Sequence, residues 1–111
     1  MPEQFKAYAI RSGDLWWSSR QYCFVDAPDE TSFTPTLAGS TEQRISRNVK
    51  MHTRLVEQST KEYTPEYAAR YGYSYPKMLV GLANKVAKLE QWRNARVVEV
   101  AVNVTELAGV V

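Results

Sequence analysis

Catalysis requires a nucleophile, an acid or base of suitable pKa, or a metal, and this chain offers one cysteine, Cys23, one histidine, His52, and scattered carboxylates. A Cys23 and His52 pair would make a thiolate nucleophile. Cys23, however, alternates within an aromatic strand segment, and His52 falls on the apolar face of a helix, so both read as core residues. Asp26, Asp29 and Glu30 cluster on a loop and could present oxygens to a divalent cation. The twelve-residue calcium loop with its central glycine is missing, and solvated loop acids are the simpler reading. No Gly-rich phosphate loop, His-Glu-x-x-His or Gly-x-Ser-x-Gly occurs, which removes ATP-dependent, zinc-hydrolase and α/β-hydrolase readings. The expectation is a non-enzymatic protein with no catalytic residue, metal or cofactor.

Two features are suited to binding. The stretch from Tyr63 to Tyr75 holds five of the chain's seven tyrosines, Tyr63, Tyr67, Tyr71, Tyr73 and Tyr75, around Pro65, Gly72 and Pro76. Tyrosine combines large contact area, few rotatable bonds and a polar tip, which suits a protein interface. The same rings could instead wedge a short helix against a sheet, with their hydroxyls in water. The second feature is a basic row. At about 100° per residue, Arg47, Lys50, Arg54 and Lys61 share a sector roughly 60° wide, with Arg44 nearby, the layout of a helix presenting cations to phosphates. A plain solvated face is the alternative, because Glu57 stands four residues before Lys61 in the favourable order for a local ion pair. Trp16 and Trp17 are adjacent, so in a strand their rings point to opposite faces: one belongs to the core, and the other, taken as Trp17, needs cover or a partner.

The elements that must position these residues follow from patterning. Strands are expected over about 4–25, with Gln4 to Arg11 alternating, a turn at Ser12-Gly13-Asp14, and then either one bent strand or two short ones. Residues 26–39 carry Pro28, Pro35, Gly39 and polar residues and read as a surface loop pinned by Phe33 and Leu37. Ser40-Thr41-Glu42-Gln43 has capping-box spacing, so a helix is expected over about 41–63, with Ile45, Val49, His52, Val56 and Tyr63 as its apolar stripe. Thr64-Pro65-Glu66 restarts a helix over 65–71 that Gly72 stops. Pro76 opens a third over 76–92, in which Met78, Leu79, Leu82, Val86, Leu89 and Trp92 share one face. Residues 95–105 alternate as a strand with Val98, Val100, Val102 and Val104 on one side. The fold class is therefore α+β, one domain over 1–111: a small antiparallel or mixed sheet, from an N-terminal hairpin and a C-terminal strand, packed against two or three helices.

With 111 residues and a net charge of +2, the chain lacks the imbalance of a histone-like protein or an acidic DNA mimic. It has no apolar run of membrane-span length, its N-terminus lacks a signal-peptide layout, and its single cysteine suits a reducing compartment, so the expected location is cytoplasmic. The strand Lys6-Ala-Tyr-Ala-Ile-Arg11, the Gly-Asp turn, the aromatic second strand and the closing Arg96-Val-Val-Glu-Val100 after a capped helix resemble small bacteriophage-encoded accessory proteins. The resemblance covers the two sheet-forming ends and not residues 26–75. It implies proteins that bind and block a host protein, including inhibitors of host defence such as anti-CRISPR proteins, and it carries over no functional residue. The leading expectation is thus a protein-binding module, in its finer form a phage-encoded inhibitor, that uses the tyrosine segment and adjoining basic helix, with homodimerisation through the same surface as a variant. The alternative is a nucleic-acid binder using Arg44, Arg47, Lys50, Arg54 and Lys61.

Overall fold

The computed structural model describes residues 4–34 and 38–103. Four antiparallel strands and three helices make an α+β fold in the element order β1 (Gln4–Ser12), β2 (Leu15–Ser18), β3 (Cys23–Val25), α1 (Ala38–Glu62), α2 (Pro65–Tyr71), α3 (Tyr75–Arg93) and β4 (Ala95–Asn103). The expected anchor Leu37 and the continuation of the last strand to Thr105 lie outside the described residues. The chain forms two compact units, Met1–Ser46 with Asn94–Val111, and Arg47–Arg93.

In the first unit the sheet order is β3-β2-β1-β4. β1 and β4 pair along their whole lengths, from Gln4 opposite Asn103 to Ser12 opposite Ala95. The alternation in β4 is realised: Val98 and Val100 are half-buried, while Glu99 and Ala101 are exposed. Gly13 takes φ +59° in the turn to β2, a conformation that costs glycine nothing. Arg11 closes this hairpin by donating from Nη2 to the Asp14 carbonyl at 2.8 Å, and its guanidinium lies 4.2 Å from the centre of the Trp16 ring. Ala7, Ala9 and Ile10 of the inner strand are the buried apolar residues of this unit among those described.

The aromatic segment forms two short strands, because residues 19–22 turn between Ser18 and Cys23. That turn is pinned to the following loop by polar bonds. Ser18, fully buried, donates to Asp29 Oδ2 at 2.5 Å and accepts from the Gln21 amide at 3.2 Å. Thr31 donates its hydroxyl to Asp29 and accepts from the Arg20 amide at 3.0 Å. Asp29 also caps a single 3-10 turn, Glu30–Ser32, by accepting from the Thr31 amide at 2.8 Å while Ser32 Oγ accepts from the Asp29 amide. The loop then returns to the inner strand β1 beyond its short pairing with β2, where Thr34 bridges to Tyr8 by paired backbone bonds of 2.8 and 2.9 Å.

In the second unit, Thr64 caps α2 by accepting from the Tyr67 amide at 3.1 Å, with Pro65 at the first helical position. Gly72 ends α2 at φ +71°, and the amides of Gly72 and Tyr73 both donate to the Ala68 carbonyl. Ser74 starts α3, accepting from the Lys77 amide on its hydroxyl and from the Met78 amide on its carbonyl. Ala68, Leu89 and Trp92 are the buried apolar side chains.

Two expectations about the helices are corrected. α1 begins at Ala38, so the Ser40 capping box is not its start, and Thr41 is a buried residue within the first turns. The shared face of α3 is buried only toward its end: Leu89 and Trp92 are covered and Met78 and Leu82 half-covered, whereas Leu79 and Val86 are exposed. A seven-residue α2 spans about 10 Å and is too short to cover a nineteen-residue helix.

Candidate protein-binding surface

The tyrosine segment resolves into one cluster and two separate rings. Tyr67 and Tyr71 lie one turn apart on α2, with ring centres 4.7 Å apart. The left-handed Gly72 folds the chain back so that Tyr73 joins them, at 6.1 Å from Tyr67 and 6.2 Å from Tyr71. Tyr67 is half-buried beneath the other two, and this burial, then the neighbouring Tyr73, raises its phenol pKa. Tyr71 and Tyr73 are 54% and 57% exposed, and the Arg70 guanidinium stands 5.7 Å from the Tyr71 ring centre. The arrangement offers two exposed rings on a third that holds them, with caps fixing the helix at both ends.

Tyr63 is committed inward. Its hydroxyl accepts from Lys85 Nζ at 3.0 Å, the same ammonium donates to Ser59 Oγ at 2.7 Å, and it lies 5.0 Å from the Tyr63 ring centre. The bond from Lys85, then the bond with Ser59, lowers the Tyr63 pKa. Tyr75 is half-buried at the start of α3. Trp17 belongs to the first unit, half-buried between the rings of Tyr22 and Phe24 at 5.5 and 5.3 Å. Trp16 packs instead against Phe33 at 5.9 Å, so the loop anchor expected of Phe33 is present.

On α1, Arg47, Lys50, Arg54 and Lys61 are all exposed, and no described carboxylate is paired with them. The local pair expected between Glu57 and Lys61 does not form. Arg44 is exposed too, sits in the first unit, and is already engaged in an interaction of its own. Beside the cations stand Met51 and Leu55, which sequence reading left unassigned; they line a shallow, open depression with Arg47, Lys50 and Arg54. The expected stripe of Ile45, Val49, His52, Val56 and Tyr63 is half-buried along its length.

Cys23 and His52, weighed as a nucleophile pair, belong to different units. Cys23 is exposed, not core as its alternation suggested, because it opens β3, a three-residue strand with no further strand beside it among the described residues. His52 belongs to the other unit, with its ring nearly parallel to Trp92 at 6.4 Å, and burial, then the Lys88 charge, lowers its pKa. Asp26 is exposed, Asp29 is consumed by the cap, and Glu30 pairs with Arg20. Among the described residues no group of three or more His, Cys, Asp or Glu could hold a metal ion, and no helix is long and apolar enough to cross a membrane.

Sequence reading also missed Tyr22. It is 75% exposed at φ +55°, the left-handed region where glycine or asparagine is usual, and the polar pin through Ser18 and Thr31 holds its turn. Comparisons with models of protein families, with curated proteins and with solved structures found no match.

Proposed function

We propose that this chain is a non-enzymatic protein-binding module whose contact surface centres on Tyr67, Tyr71 and Tyr73, with the basic face of α1 as a second contact area. The observation that carries the reading is the clustering of the three rings with Tyr71 and Tyr73 more than half exposed. A pre-packed aromatic surface loses little side-chain freedom on binding, and a few central aromatic residues carry much of an interface's affinity. The partner is another protein. In the finer form of the proposal, supported by the resemblance of the sheet-forming ends to phage accessory proteins, it is a host protein that the chain inhibits in the cytoplasm. A second copy of the chain is the variant partner, since a self-complementary aromatic patch suits a two-fold interface.

The test compares wild type with a Tyr71→Ser/Tyr73→Ser variant in affinity capture from nuclease-treated lysate, followed by titration of each captured protein in purified form and by light scattering. The expected loss is at least about thirtyfold in affinity, or dissociation of a dimer. A folded double variant that retains the same partners at the same affinity refutes the proposal.

A second reading, nucleic-acid binding through Arg47, Lys50, Arg54 and Lys61, draws on the absence of paired carboxylates along that row among the described residues. It requires duplex affinity to fall by about 0.9 log units per log unit of salt for each phosphate contacted.

A further inference from the structure

We infer that the α1 face bearing Arg47, Lys50, Met51, Arg54 and Leu55 is a docking groove for an acidic amphipathic segment of a partner protein. The inference rests on the protein-binding reading and gives that partner its chemistry: carboxylates to meet the three cations, and an apolar side chain to cover Met51 and Leu55.

The geometry of one helix supplies the argument. Taking Arg47 as origin, Arg54 and Lys50 lie about 20° and 60° to one side, while Met51 and Leu55 lie about 40° and 80° to the other. The face is therefore divided lengthwise into a cationic side and an apolar side, and these five residues line one shallow, open depression. Met51 and Leu55 are 42% and 41% exposed, and the three cations face them without a described carboxylate partner. The opposite side of the helix is already occupied, through His52 stacked on Trp92 and through Ser59 and Tyr63 bonded to Lys85. Thr53 and Thr60 are satisfied by the carbonyls of Val49 and Val56, so they add no polar demand beside the groove.

The apolar half decides the occupant. A phosphate backbone would use the cations and leave Met51 and Leu55 in water, whereas an amphipathic acidic helix buries them and meets the cations together. Arginine also binds carboxylates in a two-pronged geometry, and both arginine and methionine are enriched in protein interfaces.

The experiment titrates the full chain, labelled for amide spectra, with a synthetic acidic peptide carrying leucines at i, i+3 and i+7 and glutamates on one flank. A scrambled peptide of the same composition and a DNA duplex are compared by fluorescence anisotropy. The expected result is amide shifts concentrated at residues 47–55 and affinity about tenfold above the scrambled peptide. Leu55→Ser and Arg54→Glu should each weaken binding by about tenfold, with helix content unchanged by circular dichroism. Equal affinity for both peptides, no shifts at millimolar peptide, or tighter DNA binding that ignores Leu55→Ser overturns the inference. The Tyr71→Ser/Tyr73→Ser variant separates the two surfaces. Peptide binding that survives in it is expected; peptide failure beside a partner loss caused by that variant would sink the groove and leave the tyrosine surface standing.

Discussion

Lys85→Met removes the cation that joins α3 to α1 while keeping most of the side chain's length and volume. The lost interactions are the bond to Ser59 Oγ at 2.7 Å, the bond to Tyr63 Oη at 3.0 Å and the placement over the Tyr63 ring at 5.0 Å. The Ser59 bond dominates, because that residue is only 4% exposed and gives up its charged donor, keeping only its bond with Tyr63, whereas the half-buried Tyr63 hydroxyl has access to water. Losing the charged donor of a buried hydroxyl costs about 1–3 kcal/mol, and a partly exposed cation–ring contact adds about 0.5–1 kcal/mol. The expected loss is about 2–3 kcal/mol, or roughly 8–12 °C in melting temperature for a chain of this size. Thermal and urea unfolding measure it. Adding Ser59→Ala should change that loss by less than about 1 kcal/mol, since the Lys85 bond to its hydroxyl is already gone and only the bond with Tyr63 is removed. The same substitution should raise the Tyr63 pKa in an ultraviolet titration, because the Lys85 bond is the largest cause lowering it. A loss below about 0.5 kcal/mol with an unmoved tyrosine titration would refute the reasoning.

Three further outcomes are expected. The bonds from Ser18 and then Thr31 hold the Asp29 carboxyl down to about 2, below its ordinary 3.8; because the folded value is the lower one, its contribution is present above about pH 3.8 and is lost as pH falls toward 2. Melting temperature should therefore drop across that window in wild type and change less in Asp29→Asn. Trp92→Ala, at a buried position stacked on His52, should cost about 3–5 kcal/mol by urea denaturation. Gly72→Ala meets no atom within 4 Å of the new Cβ but forces alanine to φ +71°, so a loss of about 1–2 kcal/mol is expected from the backbone alone, accompanied by reduced tyrosine ring contacts in amide and side-chain spectra.

The legible parts of this chain are those set by local chemistry. Thr64-Pro65 and Gly72 delimit α2, Pro76 marks the opening of α3, and the alternation from Ala95 onward marks β4. The Tyr67 and Tyr71 contact follows from helical spacing, and so does the placement of Arg47, Lys50, Arg54 and Lys61 on one face opposite the apolar stripe; that this face is exposed comes from the structure. Features set by turn geometry or distant pairing were not legible. Tyr73 reaches its neighbours only because Gly72 is left-handed, and Lys85 meets Ser59 and Tyr63 across separations of 26 and 22 residues. Cys23 shares its alternation with core positions, but the four-residue turn before it places it on an edge strand. Ser40 to Gln43 carries a helix-start pattern inside a helix already begun at Ala38, since a short hydroxyl-bearing run fits either place when tertiary contacts decide.

The central claim is that the paired exposed rings of Tyr71 and Tyr73 carry protein binding. The most direct measurement is the dissociation constant of a captured, purified partner, or of the homodimer, for wild type and for Tyr71→Ser/Tyr73→Ser at matched helix content. The account predicts a loss of at least about thirtyfold in the variant. Unchanged affinity in a folded variant would contradict it.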